Sequence, residues 1–328
     1  MGPKMEYVSV LRPGLLTTVQ DLGRPMYRAM GVSASGAMDA LSLRLANILV
    51  GNEEGTAALE VTIVGPHLQF QSDGVIAITG GNLSPVLNGQ VVSMWKALRV
   101  KQGDELRFGK YIDGCRAYIA FSGGIQTPSV MGSRSTFTRG NYGGMEGRAL
   151  EAGDRLPLGP TNYEVGDLVG RRLRTADIPD FRTTRPVQFI LGPHHQEFAE
   201  KSVAAFLHEA YTVSNESDRM GYRLQGPIME HLNSPDIISD FITVGTIQVP
   251  GSGQPIIHMA DCGTSGGYTK MGVIITTDLS YVAQRKPGDN IQFQPIEMAE
   301  AQRQLREQEG LLADLRLVNK VLPKTNLV

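Results

Sequence analysis

Apolar and polar positions change period along this chain, and the changes mark out its elements. Tyr7-Val8-Ser9-Val10-Leu11 alternates enough to be a strand, and Pro13-Gly14 turns it. After Ser33-Ala34-Ser35-Gly36 the spacing lengthens, with Leu41, Leu45, Ile48 and Leu49 recurring at helical intervals over residues 39–50. Ser35 or Asp39 is suited to cap that helix, and Gly51-Asn52 to end it. Short runs bounded by Gly, Pro, Asn or Asp then predict strands at 58–64, 75–79, 97–100, 106–108 and 117–121. The second half predicts a strand at 187–191 and a helix over 196–208, with Phe198, Val203, Phe206 and Leu207 inward. Strands follow at 242–249, 255–259 and 272–276. From Met298 the text reads as polar helix, interrupted at Gly310 and continued to Leu317. Many short strands with a few packing helices predict a mainly β fold, one closed or nearly closed antiparallel barrel per unit.

Two phrases recur and predict an internal duplication. Arg24, Tyr27, Arg28 and Gly31 spell R-x-x-Y-R-x-x-G, repeated at Arg219, Tyr222, Arg223 and Gly226, 195 residues on (219 − 24). K-x-G-D-x-[LI]-x-F runs from Lys101 to Phe108 and again from Lys286 to Phe293, an offset of 185 (286 − 101). A third G-D-x-L stands at Gly153-Asp154-Arg155-Leu156. Such turns need only glycine's freedom at positive φ and an Asp that bonds its own backbone. Residues 161–184 are charged and poor in pattern, so the expected organisation is a first unit over 1–160 and a linker over 161–184. A second unit over 185–297 and a helical tail over 298–328 complete it.

Composition changes the picture mainly by exclusion. With 328 residues, 41% hydrophobic and 20% charged, the chain has material for two ordinary cores. A net charge of −2 without a dense basic run argues against nucleic acid as a partner. Two cysteines, Cys115 and Cys262, argue against a disulfide framework, and no apolar stretch is long enough for a membrane span or a signal peptide. The expectation is a soluble cytoplasmic protein.

The richest chemistry lies in Asp261-Cys262-Gly263-Thr264-Ser265-Gly266-Gly267-Tyr268-Thr269-Lys270. Glycines admit a ligand close to backbone, and Thr264, Gly266 and Gly267 offer donors to an oxyanion or carboxylate. Asp261 is a candidate base, Lys270 a candidate partner for an anion, and Tyr268 a candidate substrate contact. The alternative is a glycine-rich hairpin corner of a barrel. The segment is not a Walker A loop. Asp21 with Arg24 and Asp218 with Arg219 read either as internal salt bridges or, if the arginines line a cleft, as forks for a carboxylate. Gly132-Ser133-Arg134-Ser135-Thr136 reads as an anion nest around Arg134 or as a plain loop. The six histidines, among them adjacent His194-His195 and lone His258, form no metal-ligand pattern, so no metal is expected. Cys262 lacks an assigned activating histidine and reads as a small polar-loop residue.

At these motifs the chain resembles a known family. Thr17 to Arg24 (T-T-V-Q-D-L-G-R), Ser33 to Asp39 (S-A-S-G-A-M-D), Ser122 to Ile125 and Val130 to Thr136 carry the resemblance in the first half. Ser217 to Gly226, Ile247-Gln248-Val249-Pro250, Gly253 to Ile256 and Gly266-Gly267-Tyr268 carry it in the second. Together they look like the biotin-dependent carboxyltransferase family, subdomains A and B. That family takes in allophanate-hydrolase subunit-2-like proteins, the C-type component of bacterial 5-oxoprolinase, an antagonist of a sporulation-kinase inhibitor, and a region of urea carboxylase. The resemblance implies two cyclophilin-like β-barrel units and a smaller partner subunit of the same broad kind. The family's loop usually reads D-x-x-T-T-G-G-Y-P-[KR]-I, where this chain has Ser265, Thr269 and Met271 for the second Thr, the Pro and the Ile. His258 and Cys262 are also unusual there.

Three functions follow as expectations from the resemblance. The first is a C-like subunit of an ATP-dependent 5-oxoprolinase that opens 5-oxoproline to glutamate together with B-like and A-like subunits, the ATP belonging to the complex. In it Arg219 or Arg24 holds the substrate carboxylate, Asp261 serves the attacking water and Lys270 neutralises developing charge. Arg134, Thr264, Gly266, Gly267 and Gln248 complete the expected substrate-binding set, and Tyr268 joins the catalytic one. The second is carboxyl transfer to urea or a related amide, with biotin only on a separate carrier because this chain has no M-K-M. The third is a non-enzymatic regulator that binds a kinase-inhibitor partner.

Overall fold

The computed structural model describes residues 6–321 of the chain. It is mainly β with few helices, and its residues divide into two compact units. The first comprises residues up to Gly23, Asp39–Arg182 and the chain from Gly310; the second comprises Arg24–Met38 and Thr183–Glu309. The sequence reading put residues 24–38 with the first half, whereas this segment packs within the second unit, where Met38 joins the core. Residues 161–184, read as a linker, bury Leu168, Leu173 and Phe181 instead of running free. Of the expected end segments, 1–5 and 322–328 lie outside the described residues.

The first unit is built from a six-stranded and a five-stranded sheet, all of whose pairings are antiparallel. Alternation sets its core: Val8 and Val10 of strand Tyr7–Arg12, with Leu68 and Phe70 of strand His67–Phe70, turn inward and pack with Val61, Ile78, Ile119 and Phe121. Strand Asp113–Phe121 is buried on both faces, and its far face carries Tyr118, whose hydroxyl donates to Glu60 Oε2 at 2.7 Å. The backbone N–H of Asp39 donates to that hydroxyl at 2.8 Å. The Asp39 side chain then caps helix Ala40–Leu49 by accepting from the Ser42 N–H at 3.0 Å.

In the second unit one sheet almost closes on itself. Its path begins at strand Asn290–Ile291, which pairs Tyr211–Val213, and ends at strand Phe293–Pro295, which pairs Val187–Leu191. Only Gln292 separates the two ends, so the chain bridges its own seam. Inside, Phe206 stacks on Phe293 at 4.4 Å between centroids, and Phe189 meets Phe206 edge-on at 5.6 Å. Strand Ser265–Ile274 is longer than the 272–276 expected, and it pairs Asp236–Phe241 at its start and Thr246–Val249 further along. Helix Thr276–Ala283 was read as the end of a strand, because Val273 to Thr277 is a β-branched run and Ile275 offers no side-chain cap. Its Asp278, buried, instead accepts two bonds from Arg185 at 2.8 and 2.9 Å and one from the Gln188 N–H. The final helix runs Met298–Val321 without the expected break at Gly310. A glycine there costs about 1 kcal/mol against alanine, little enough for a long helix to absorb. Among the described residues no helix is long and apolar enough to cross a membrane.

The two repeated phrases fare differently. R-x-x-Y-R-x-x-G falls on a 3-10 helix at Pro25–Met30 and on strand Gly221–Gln225, so this echo repeats letters and not geometry. The G-D phrase is one turn built three times. Asp104, Asp154 and Asp289 each accept, on Oδ2, the N–H three residues back, from Lys101, Glu151 and Lys286 at 2.8, 2.8 and 3.0 Å. Each preceding glycine has φ near 90° (+90°, +96° and +89° at Gly103, Gly153 and Gly288), and an added Cβ would meet nothing within 4 Å. Backbone strain alone therefore opposes a side chain there. Gly103→Ala, Gly153→Ala and Gly288→Ala should each lower unfolding stability by about 1–2 kcal/mol, by like amounts, in urea denaturation. A negligible loss at one position would show that its turn differs from the other two.

Candidate functional site

All the chemistry-bearing residues described next lie in the second unit. Ser35 and Gly36, at φ +53° and +102°, bend the chain so that both reach the same buried ion pair. Arg219 Nε donates to Asp261 Oδ2 at 2.9 Å and its Nη2 to Oδ1 at 3.1 Å, a bidentate fork. Ser35 Oγ donates to the same Oδ1 at 2.8 Å, and Arg219 Nη2 also reaches the Gly36 carbonyl at 2.6 Å. Asp261 is 4% exposed and Arg219 8%. Asp261, expected as a base, and Arg219, expected as a substrate fork, thus spend their hydrogen bonds on each other and on residues 35–36. Their geometry is that of a pin. Arg24, also expected to hold substrate, is fully buried, with its N–H donating to the Ala34 carbonyl at 2.8 Å.

A second group gathers around Lys270. Its Nζ donates to Asp240 Oδ2 at 2.5 Å and to the Phe241 carbonyl at 2.6 Å, while Lys270 itself is 6% exposed. The bond from Lys270, and after it the one from the Phe241 N–H, hold the Asp240 carboxylate below its ordinary range. Gln248, opposite Lys270 in the sheet, donates its amide to the Tyr268 carbonyl at 3.1 Å. That leaves Gln248 Oε1 to accept from His258 Nε2 at 2.8 Å, which places the imidazole proton on Nε2 and leaves Nδ1 as the bare nitrogen. Burial, and after it the charges of Arg28 and Lys270, push His258 down to about 4, so the ring is neutral at pH 7. Arg28 donates to the Ile242 carbonyl and, at 3.3 Å, to that of Gly263, with its guanidinium 5.2 Å from the Phe241 ring centroid.

The glycine-rich segment differs from the expected donor nest. Ser265 and Gly266 are paired strand residues, opposite Phe241 and Asp240, so backbone groups here serve a sheet. A Cβ at Gly266 would lie 2.4 Å from Ile242 Cδ1 and 2.9 Å from Gln248 Nε2, so a larger residue there would have to push both side-chain ends aside. Gly267 sits where the pairing register slips, and the Thr264 carbonyl accepts from the Ile242 N–H at 3.1 Å. Tyr268, 41% exposed, turns its side chain to a different cavity of about 400 Å³, shared with Arg223, Gln254 and Ile256. Burial pushes the Cys262 thiol up, away from thiolate nucleophile chemistry.

Arg134 belongs to the first unit. The loop read as an anion nest around it is filled by the chain's own Asp21. That carboxylate accepts from Ser133 Oγ at 2.7 Å, Ser135 Oγ at 2.5 Å and the Arg134 N–H at 2.6 Å. The sequence reading did not place Arg28, His258 or Asp240 in the site. A lone histidine gives no pattern, but its partner Gln248 stands across the neighbouring strand, a signal available only once register is known. Among the described residues no group of three His, Cys, Asp or Glu side chains is placed to hold a metal ion.

Two outcomes follow from this geometry. Arg219→Met or Asp261→Leu alone strands a buried charge and should cost about 3–5 kcal/mol, whereas the double variant should recover part of that loss; denaturant titration of all three reads it. Singles that are nearly neutral would remove the pin. His258, pushed below the imidazole's ordinary 6.5 to about 4, binds its proton more readily when unfolded, so its contribution is full above pH 6.5 and is lost as pH falls toward 4. His258→Gln should flatten the loss of stability between those values by about 2–3 kcal/mol; an unchanged acid limb would place the imidazole in solvent.

Comparison with known proteins adds a family. Residues 30–295 match the family described as the carboxyltransferase domain, subdomain A and B. Over 308 residues the chain is 36% identical to the C-type component of the 5-oxoprolinase of Escherichia coli (strain K12), covering 94% of this chain and 97% of that protein. It is 38% identical over 320 residues to the urea amidolyase of Saccharomyces cerevisiae, covering 93% of this chain but 17% of that one. Among solved structures, the urea carboxylase of Kluyveromyces lactis superposes with a TM-score of 0.89 at 33% identity, covering 99% of this chain and 30% of that one.

Proposed function

The chain belongs to the carboxyltransferase-domain family, subdomains A and B, and from that premise we propose that it is the C-type component of an ATP-dependent 5-oxoprolinase. In that role it takes part in opening the lactam of 5-oxoproline to glutamate. The observation that carries the reading is the neutral His258–Gln248 pair beside the Lys270 ammonium. A lactam presents an N–H, a carbonyl oxygen and, in 5-oxoproline, a carboxylate. Among the described residues His258 Nδ1 has no partner, so it is available to accept from the lactam N–H or from an attacking water. Two of the three Lys270 N–H groups are engaged, and the third is available to an anionic oxygen. Arg28, which also acts on His258, adds a positive field to the same place.

Coverage favours this reading over the second. The match with the bacterial 5-oxoprolinase component spans nearly all of both chains, while the yeast enzyme is several times longer. The residues around Lys270 do not form a phosphate cradle, since Ser265 and Gly266 are sheet-paired, and no step is routed here through ATP. ATP supplies the phosphoryl group that makes the lactam oxygen a leaving group, and in this reading the B-like and A-like subunits provide its site.

A second reading is favoured by the superposition on urea carboxylase: carboxyl transfer from carboxybiotin on a separate carrier to urea or a similar amide. His258 and Lys270 would then take the amide N–H and the carboxylate. One experiment separates the two. The chain is assembled with its companion subunits and assayed for ATP-dependent glutamate release from 5-oxoproline, beside urea carboxylation with a biotinylated carrier. The proposal expects glutamate release that needs this chain and falls about 100-fold in kcat/KM with Lys270→Met, melting curves showing the variant folded. Urea carboxylation without glutamate release would overturn it.

A further inference from the structure

The first unit contains a second polar cavity, of about 470 Å³, that the proposed chemistry does not use. Its walls are held from within. Asn52 donates to the Asn47 side chain at 2.9 Å and to the Phe121 carbonyl at 2.8 Å, and it accepts from the Gly123 N–H at 2.9 Å. The backbone of Arg134 is tied to Asp21 at 2.6 Å, and its Nη2 donates to Gln126 Oε1 at 2.8 Å. Arg134 and Glu53 both line the cavity. Among the described residues neither has an ion-pair partner, and Arg134 Nε is buried without a hydrogen bond. Asp21, the other acid on the wall, is already saturated by two serine hydroxyls and two backbone N–H groups. Arg134 and Glu53, opposite in charge and neither ion-paired among the described residues, therefore line one polar cavity whose walls are already ordered.

We propose that this cavity binds a free α-amino acid, its carboxylate on Arg134 and its ammonium on Glu53. A guanidinium fork suits a carboxylate, and a carboxylate suits an ammonium. A lone anion would leave Glu53 unmatched, and a lone cation would leave Arg134 so. Gln126, Thr161 and Asn162 on the same walls favour a polar side chain over an apolar one. The inference does not rest on the proposed lactam chemistry, whose residues are in the other unit.

The test is calorimetric titration of the full chain with L-glutamine, with glutaramate, which lacks the α-ammonium, and with 4-aminobutanamide, which lacks the carboxylate. L-glutamine should bind, and each truncated analogue should bind at least about tenfold more weakly. Arg134→Gln should erase the preference over 4-aminobutanamide, and Glu53→Gln the preference over glutaramate, with melting temperatures unchanged. Glutaramate binding as well as L-glutamine would reduce the cavity to a simple anion site and overturn the proposal. Absence of any L-glutamine binding at millimolar concentrations, or wild-type binding by both variants, would do the same.

Discussion

A buried arginine–aspartate pair constrains everything else in the second unit. Arg219 and Asp261 stand on different loops, and Ser35 and Gly36 come from the segment that the chain contributes long before the rest of that unit. Burying such charges is tolerable only when every fork and lone pair is met. Here the carboxylate receives two guanidinium bonds and a hydroxyl, and the guanidinium reaches a carbonyl as well. The pair therefore selects one arrangement of residues 24–38, and with it the place of Arg28.

That placement explains the electrostatics of the candidate site. Burial, and after it the positive charges of Arg28 and Lys270, keep His258 neutral where a solvated histidine would begin to charge. Positive charge with an uncharged acceptor beside it suits an amide becoming anionic better than it suits metal or thiol chemistry. Cys262, the tempting nucleophile in the sequence, is buried beside Arg28 at 4.0 Å with its thiol pushed up. Asp240 neutralises part of the Lys270 charge from an exposed strand.

The mainly β character was legible because short apolar runs and glycine turns have few other outcomes, and the G-D turns proved the same object three times. The helix capped by Asp39 was legible for the same local reason. What local pattern could not carry was destination. Residues 24–38 look like an ordinary loop, and long-range contacts, among them the bonds to Arg219 and Asp261, assign them to the second unit. Likewise Asp261 reads as a free acid in a glycine-rich segment, and nothing nearby announces that Arg219, 42 residues earlier, occupies it. The anion nest around Arg134 was a sound reading of Ser133 and Ser135 that missed Asp21 as the anion. His258 escaped because its meaning depends on Gln248 across a strand pair.

Hydrogen exchange of the backbone amides in residues 24–38 tests the central claim most directly. If the Arg219–Asp261 pair holds this segment, Asp261→Asn should speed exchange there by about a hundredfold while strand Val187–Leu191 stays near wild-type protection. Unchanged protection in residues 24–38, or an equal loss throughout the second unit, would contradict the account.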